Sequence, residues 1–594
     1  MDIDKEINLI ILEDSGIFKS FEKPKRIISC NKIDEVETCL REIEAELGKG
    51  RYLAGFISYE AGYAFENKLK NKSRYPFPLI WFGIFRKIKE LNQIPNIKRR
   101  YKIDKFSLNI SEIEYKDSIH KIKRFIEKGD TYQVNFTMKY KFNFSGSALN
   151  LYQDLRERQP VPYSAYIRGN GFKILSFSPE LFLERSGRKM IVKPMKGTMC
   201  RGRTPGEDED NRIFLCNDKK NQSENIMIVD LLRNDLGKIS EFKSVKVKKL
   251  FQVERYQTLY QMTSTIESKL SRNVSFHDIF KALFPSGSVT GAPKIRTMQI
   301  VNELEKEPRK IYTGAIGYIA PDGIAKFNVA IRTILIEGKK AEMGIGSGIV
   351  YDSDPDKEFD ECKLKADFLT SSPPKFQLIE TMLWTSKYGY FLKELHLERL
   401  MNSATYFNFL FHEDSIRKSL DQERIRFNSN KTYRIRLLLS KNGKLKISSS
   451  PIKPIKTEVI IAVSDKKTDS NNVYLFHKTT NRSLYDDELK NYQKHGCFDV
   501  IFFNERGEIT EGAISNIFIK KDGKYYTPPI KCGLLDGVFR KYFINNNGHK
   551  IIEKIIYPDD LKKADEVLLA NSVRGLLKAK IVQAPKKDLI KSPT

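Results

Sequence analysis

Lys196 stands in the run Val192-Lys193-Pro194-Met195-Lys196-Gly197-Thr198, after a strand pattern over 189–192. Gly197 allows a ligand close to the backbone and Thr198 adds a hydroxyl, a pair suited to a carboxylate. A lysine at a strand end is otherwise a solvated cation, so Lys196 alone decides nothing. Glu180 closes another apolar run, Ser178-Pro179-Glu180, and alone reads as a surface acid. Glu224 falls in the first turn of a helix predicted over 224–236, where an acid commonly serves the helix dipole. Ser223 suits its N-cap and Gly237 its stop. Glu358, Glu361 and Lys365 share one face of a second helix predicted over 356–368, with Ser353 or Asp354 as cap and Pro355 in the first turn. These three form either an exposed ion pair or a carboxylate set for a hard divalent cation. Magnesium takes a few carboxylates together with substrate oxygens and water. The preceding stretch, Gly344-Ile345-Gly346-Ser347-Gly348, is glycine-rich, but no Gly-x-x-x-x-Gly-Lys-[Ser/Thr] occurs.

A second group follows Thr370-Ser371-Ser372-Pro373-Pro374-Lys375, a polar, proline-containing stretch that suits a linker. It follows the run Leu378-Ile379-Glu380-Thr381 and comprises Arg399 in the amphipathic His396-Leu397-Glu398-Arg399-Leu400, and Lys478 in His477-Lys478-Thr479-Thr480-Asn481-Arg482 at the predicted end of an apolar strand. Glu511, Ser515 and Asn516 follow in Thr510-Glu511-Gly512-Ala513-Ile514-Ser515-Asn516, then Ser572 in Asn571-Ser572-Val573-Arg574-Gly575. Each is unremarkable by itself; their order carries the information.

The elements that must position these residues mix two periodicities. Hairpin turns are predicted at Ser186-Gly187 and Pro321-Asp322-Gly323, between alternating apolar runs. Residues 90–112 are polar and read as a joining loop. With 594 residues and 40% hydrophobic content the chain is too long for one core. The organisation expected is an N-terminal part over 1–110, a catalytic module over 111–370, a linker over 371–376 and a last domain over 377–585. No run of about 18 apolar residues occurs, and the acidic start lacks the basic-then-apolar order of a signal peptide. Seven cysteines, an odd number with no Cys-x-x-Cys pair, argue for a reducing compartment, so a cytoplasmic setting is expected. The formal charge of +28 raises nucleic-acid binding, but the basic residues are spread along the chain in short runs such as Lys98-Arg99-Arg100. Neither nucleic acid nor membrane is expected as a partner.

Taken in order, Gln133, Glu180, Met195-Lys196-Gly197-Thr198, Glu224 to Leu236 (with Asp230-Leu231-Leu232-Arg233-Asn234-Asp235), Pro285-Ser286-Gly287-Ser288-Val289-Thr290-Gly291-Ala292-Pro293-Lys294, Ala330-Ile331-Arg332-Thr333 and Gly346-Ser347-Gly348 resemble the chorismate-utilising enzymes. These include the anthranilate, isochorismate and aminodeoxychorismate synthases. The likeness is dense over about 115–370 and looser before residue 90. The family's aminodeoxychorismate synthases carry lysine where Lys196 stands, and its isochorismate synthases carry a lysine base where this chain has Gln133. The resemblance implies magnesium on Glu224 and Glu361, with Glu358 beside them, and a carboxylate held by Arg332, Tyr312 and the backbones of Gly197 and Gly348. Thr198, Ser288, Gln133 and Lys365 are further implied substrate contacts. It also implies Glu180 as general acid and Lys196 as nucleophile, which must then be neutral. Gln261 departs from relatives that place a ring-contacting histidine there. No Gly-x-Cys-x-Gly elbow surrounds any cysteine, so the nitrogen is expected from a separate glutaminase subunit or free ammonia.

The second set resembles the fold-type IV pyridoxal-phosphate enzymes over about 376–580. That likeness implies Lys478 as the cofactor lysine and proton shuttle, and Glu511 opposite the pyridine nitrogen. It places the phosphate among Arg399, Ser572 and the backbone of Gly537-Val538, with Ser515 and Asn516 nearby. Phe539 departs from relatives with a threonine. The expected fold is α+β: a chorismate-binding α/β sandwich of antiparallel sheets with helices, then a fold-type IV domain of two α/β subdomains, possible as a homodimer. The expected function is two-step synthesis of 4-aminobenzoate from chorismate and ammonia, with magnesium and pyridoxal 5'-phosphate as cofactors. The alternative is a chorismate-utilising synthase, for aminodeoxychorismate or anthranilate, fused to a D-amino-acid or branched-chain aminotransferase.

Overall fold

The computed structural model describes residues 7–69, 73–94, 99–256, 259–370 and 374–582. The acidic first six residues, Lys98, linker residues 371–373 and residues 583–585 of the expected last domain lie outside the described residues. Two compact units are present. The first holds Met1–Cys200 and Arg212–Pro373, the second Arg201–Asn211 and Pro374–Thr594.

The first unit is α+β, with two ten-stranded sheets whose described pairings are antiparallel. One sheet is organised on Gln133–Gly146, whose opening residues are buried on both faces. It pairs with Lys340–Ile349 in a register running from Lys340↔Asn143 to Ile349↔Val134. The other sheet contains Leu181–Ser186, Lys189–Lys193, Met195–Cys200 and Leu259–Lys269. Its predicted hairpins are present, with Gly187 at φ +58 and Gly323 at φ +82 closing turns a side chain would strain. The larger apolar core unites residues of both sheets, among them Leu175, Phe177, Phe182, Leu183 and Phe327, and a second does so around Ile10, Phe56 and Ile316.

Three readings of local structure are corrected. The helix carrying Glu224 is Lys219–Gly237, five residues longer at its start than predicted. Asp218, not Ser223, is its N-cap, accepting from Asn221 N, and Ser223 instead donates to Lys219 O inside the helix. The polar 90–112 region is no simple loop: Tyr101–Leu108 is a strand paired with Gln133–Gly146. Its half-buried position beside a single partner tolerates the charges that disguised it. Lys478 does not end a strand. It follows the short 3-10 turn Val473–Leu475, and its carbonyl accepts from Ile379 N. The second predicted helix is found as Pro355–Thr370.

The second unit has a four-stranded sheet including Leu378–Thr385 and Thr432–Leu439, and an eight-stranded mixed sheet including Asp499–Asn504, Ile509–Gly512 and Asn516–Lys521. Arg399 lies in the helix Lys393–Phe407, which buries Leu397, Leu400 and Ala404. The short segment Arg201–Asn211 belongs to this unit: Tyr406 Oη donates to Gly202 O, and Arg203 donates to Ser470 O. Among the described residues no helix is long and apolar enough to cross a membrane.

Candidate active sites

A cavity of about 260 Å³ opens in the first unit. Glu180, Lys196, Gly197, Thr198, Glu224, Ser288, Tyr312, Arg332, Gly348, Glu358, Glu361 and Lys365 all line it, although they come from positions spread over more than 180 residues. Gln133 stands just behind the wall. A Cβ on Gly348 would lie 2.7 Å from Gln133 Nε2 and 2.8 Å from Lys196 Nζ, so only glycine leaves both groups room. Both polar atoms of the Gln133 amide are buried without a hydrogen-bond partner. Gly197, at φ +90, turns the strand Met195–Cys200 so that Lys196 and Thr198 both face the cavity region.

The cavity's charges are unusual for an interior. Burial pushes the Glu180 carboxyl up to about 7, against the opposing hydrogen bond that it accepts from Ser288 Oγ at 2.6 Å and the Lys196 charge. Lys196 lines the cavity and is half-buried. Burial lowers its pKa, Glu224 opposes this, and Lys365 adds to the lowering. Burial lowers the Arg332 guanidinium to about 10, with the Tyr256 hydroxyl the charge partner set against it. Its Nη1 is buried and unbonded. Such a cation asks for an anionic ligand.

Among the described residues no group of three or more His, Cys, Asp or Glu is gathered closely enough to hold a metal. Glu361 pairs with Lys365 at 2.7 Å, and Glu358 accepts from Ser353 at 2.8 Å. Glu224 is different: its carboxylate takes no described hydrogen bond and burial raises its pKa. That condition, with Glu361 on the same cavity wall, fits a cation completed by substrate oxygens and water. Lys365 also donates to Gly346 O at 2.9 Å. Thr198 Oγ1 accepts from Gln261 Nε2 at 2.8 Å, so the departing residue Gln261 holds the Thr198 hydroxyl at the cavity edge. Sequence reading missed Asn135, Lys220 and Asn221, which also line the cavity. Lys220 and Asn221 follow Asp218 in the added helical turn, so the correct N-cap was the signal that could have found them.

The second unit holds a cavity of about 180 Å³ lined by Lys478, Arg482, Tyr485 and Glu511 among others. Burial, with the charges of Arg399 and Arg482, lowers Lys478 to about 7, and burial raises Glu511 to about 8. Tyr485 Oη donates to Glu511 at 3.2 Å. Asn516 Nδ2 contacts Glu511 at 3.3 Å and donates to Leu535 O at 2.9 Å, so it positions the acid. Ser515 turns its hydroxyl to Asp499 at 2.6 Å, away from the expected cofactor role. Arg399 is held by Glu380 through Nε at 2.9 Å and Nη2 at 2.7 Å. His396 contacts the same carboxylate at 2.6 Å.

Arg399, Gly537, Val538 and Ser572 are not among the residues lining that cavity. Gly537 is the N-cap of Val538–Asn547, a helix whose first turn has no side-chain cap. A Cβ there would meet Asn516 Oδ1 at 1.9 Å. That uncapped N-terminus suits an anion such as a phosphate, and the Ser572 hydroxyl has no described protein partner. Phe539 supplies no hydroxyl; it packs with Phe391, Tyr542 and Phe543.

Residues 89–371 match the family described as chorismate binding enzyme, and residues 377–582 match amino-transferase class IV. An aminodeoxychorismate synthase from Streptomyces pristinaespiralis is 43% identical over 42% of this chain and 35% of its own length. Anthranilate synthase component 1 from Methanothermobacter thermautotrophicus is 33% identical over 55% of this chain and 76% of its own length. The chain spans about half the length of several other curated relatives it matches. Among solved structures, anthranilate synthase component I from Streptococcus pneumoniae TIGR4 aligns at 25% identity and TM-score 0.51, over 61% of this chain and 90% of that one. With that sequence likeness resting on the same two-sheet unit that gathers the cavity residues, the chain belongs to the chorismate-binding enzymes and carries a class IV aminotransferase region after it in the same polypeptide.

Proposed function

We propose that this chain makes 4-aminobenzoate in two steps. The first unit converts chorismate and ammonia to 4-amino-4-deoxychorismate and water, and the second converts that product to 4-aminobenzoate and pyruvate. The observation that carries the reading is Lys196, an amine of lowered pKa in one cavity with a carboxyl near neutrality and an unpaired buried arginine. In the first step Arg332 takes a substrate carboxylate, which its unbonded Nη1 is suited to do. Neutral Lys196 attacks the ring, and protonated Glu180 gives its proton to the departing 4-hydroxyl, which leaves as water. Ammonia then bonds at C4 and Lys196 is released. Glu224 and Glu361 would hold magnesium, which supplies positive charge opposite the ring carboxylate. A separate glutaminase or free ammonia provides the nitrogen.

In the second unit, pyridoxal phosphate supplies an electron sink when bound. Arg399, Ser572 and the N-terminus at Gly537-Val538 would hold its phosphate, Glu511 its ring nitrogen and Lys478 its carbonyl carbon. Lys478, with a pKa lowered to about 7, has a neutral amine available to take the proton from C4. The C3–O bond then breaks and the ring becomes aromatic. The departing enolpyruvate gains a proton to become pyruvate. This elimination is favoured over amino-group transfer because the first unit's product is its substrate.

Product analysis by mass spectrometry tests both steps. Chorismate, ammonium, magnesium and pyridoxal phosphate should yield equal amounts of 4-aminobenzoate and pyruvate. Anthranilate as product would overturn the first assignment. Accumulated aminodeoxychorismate, with transamination of D-alanine and 2-oxoglutarate, would overturn the second.

A further inference from the structure

Arg482 has no part in the roles assigned above. It immediately precedes the helix Ser483–Gln493 and lines the same cavity as Lys478, Tyr485 and Glu511. Its guanidinium is anchored on two edges. Nε donates to Asp486 Oδ1 at 2.9 Å, and Nη2 donates to the carbonyl of Ala513. The group also lies 5.4 Å from the centre of the Tyr485 ring, whose hydroxyl donates to Glu511. Nη1 takes no described bond. The Arg482 side chain is 18% exposed, whereas its partner Asp486 is 50% exposed, so the carboxylate that pairs with it sits toward solvent. On the cavity side its charge acts on Glu511, which burial nevertheless raises to about 8, so that this acid is largely neutral at pH 7. Arginine cannot shed its proton, and two fixed edges leave the third pre-oriented.

We propose that Arg482 binds an oxyanion inside the Lys478 cavity through its free Nη1 edge. The proposal rests on the reading that this cavity takes pyridoxal phosphate and an anionic amine substrate. Two sources present the same chemistry: the phenolic oxygen of the cofactor ring and a carboxylate of the substrate. In aminodeoxychorismate neither carboxylate is on the carbon that carries the amine, whereas an α-amino acid has both on one carbon. On the substrate arm, Arg482 therefore selects an amine whose carboxylate is remote.

The test compares wild-type, R482Q and R482K holoenzymes by two measurements. One is the pH titration of the visible absorbance of the lysine-bound cofactor without substrate. The other is equilibrium binding of 4-aminobenzoate followed through the same absorbance. If the anion is the cofactor's oxygen, the titration midpoint of R482Q moves up by about one pH unit or more, a tenfold change in proton affinity. If it is the substrate's carboxylate, the titration is unchanged and 4-aminobenzoate binds about tenfold more weakly or worse. R482K, which keeps the charge but loses the anchored fork, should fall between the other two in whichever measurement responds. Wild-type values in both measurements for R482Q overturn the proposal. Should R482Q take up no cofactor, R482K decides in its place: wild-type values in both overturn it, and a partial shift in either upholds it. Failure of the underlying reading shows separately, as wild-type holoenzyme that releases no pyruvate from aminodeoxychorismate.

Discussion

Replacing Glu180 by glutamine keeps the side chain's shape and removes its proton chemistry. The carboxyl is 3% exposed, accepts from Ser288 at 2.6 Å and is pushed by burial from the ordinary 4.5 to about 7. At about 1.4 kcal/mol per pH unit, that rise corresponds to about 3 kcal/mol against the ionised form. The sign follows from proton counts. Between 4.5 and about 7 the native protein holds a proton that the unfolded chain has lost, so Glu180's contribution to stability falls as pH rises through that window. Glutamine does not titrate. The ligand-free Glu180→Gln protein should therefore match wild type at the acid end and gain on it toward the alkaline end, by up to about 3 kcal/mol. Thermal scans at both ends of the window read this as a difference in Tm that appears only on the alkaline side. Catalysis should move the opposite way. Without the proton for the departing hydroxyl, kcat/KM for amination should drop by roughly 10²- to 10⁴-fold while chorismate binding is little changed. The decline in wild-type kcat/KM above about pH 7 should vanish from what remains. Amination within about threefold of wild type, with that decline retained, would refute the assignment of Glu180 as the acid.

Lys196→Ala should lose most ammonia-dependent turnover yet still bind chorismate, measured by initial rates beside equilibrium binding, because a nucleophile contributes to the barrier more than to affinity. Excess chelator should stop chorismate amination and leave pyruvate release from supplied aminodeoxychorismate intact, since Glu224, Glu358 and Glu361 all lie in the first unit; equal loss of both would show a metal role in the second. Lys478→Ala should abolish 4-aminobenzoate formation and the visible absorbance of lysine-bound cofactor, while chorismate is still consumed and aminodeoxychorismate accumulates, as chromatography would show.

Much of the candidate chemistry was legible in the order of motifs. Lys-Gly-Thr at 196–198, the acids at 224, 358 and 361 and the lysine at 478 could be placed on two enzyme families because residue type and spacing are written directly in the chain. Turn chemistry was equally local: Gly187 and Gly323 sit at positive φ where the sequence marked hairpins. Local pattern failed where a distant partner decided the outcome. Tyr101–Leu108 is a strand because Gln133–Gly146 supplies its hydrogen bonds, and its own polar residues gave no sign of that neighbour. The helix before Glu224 starts at Lys219 because Asp218 caps the amide of Asn221, which leaves Ser223 inside the helix, bonded to Lys219 O. Protonation was not readable from local pattern, although the family resemblance implied a neutral Lys196. No stretch of sequence distinguishes Glu180 from a surface acid, or Arg332 from a solvated cation. Their altered titration follows from the water that folding removes and from the charges that packing brings near, and both come from parts of the chain far away in sequence. The sequence by itself therefore determined which functional groups are available, whereas only the tertiary structure decided their charge state, because desolvation and Coulomb energy depend on distances that exist only after folding.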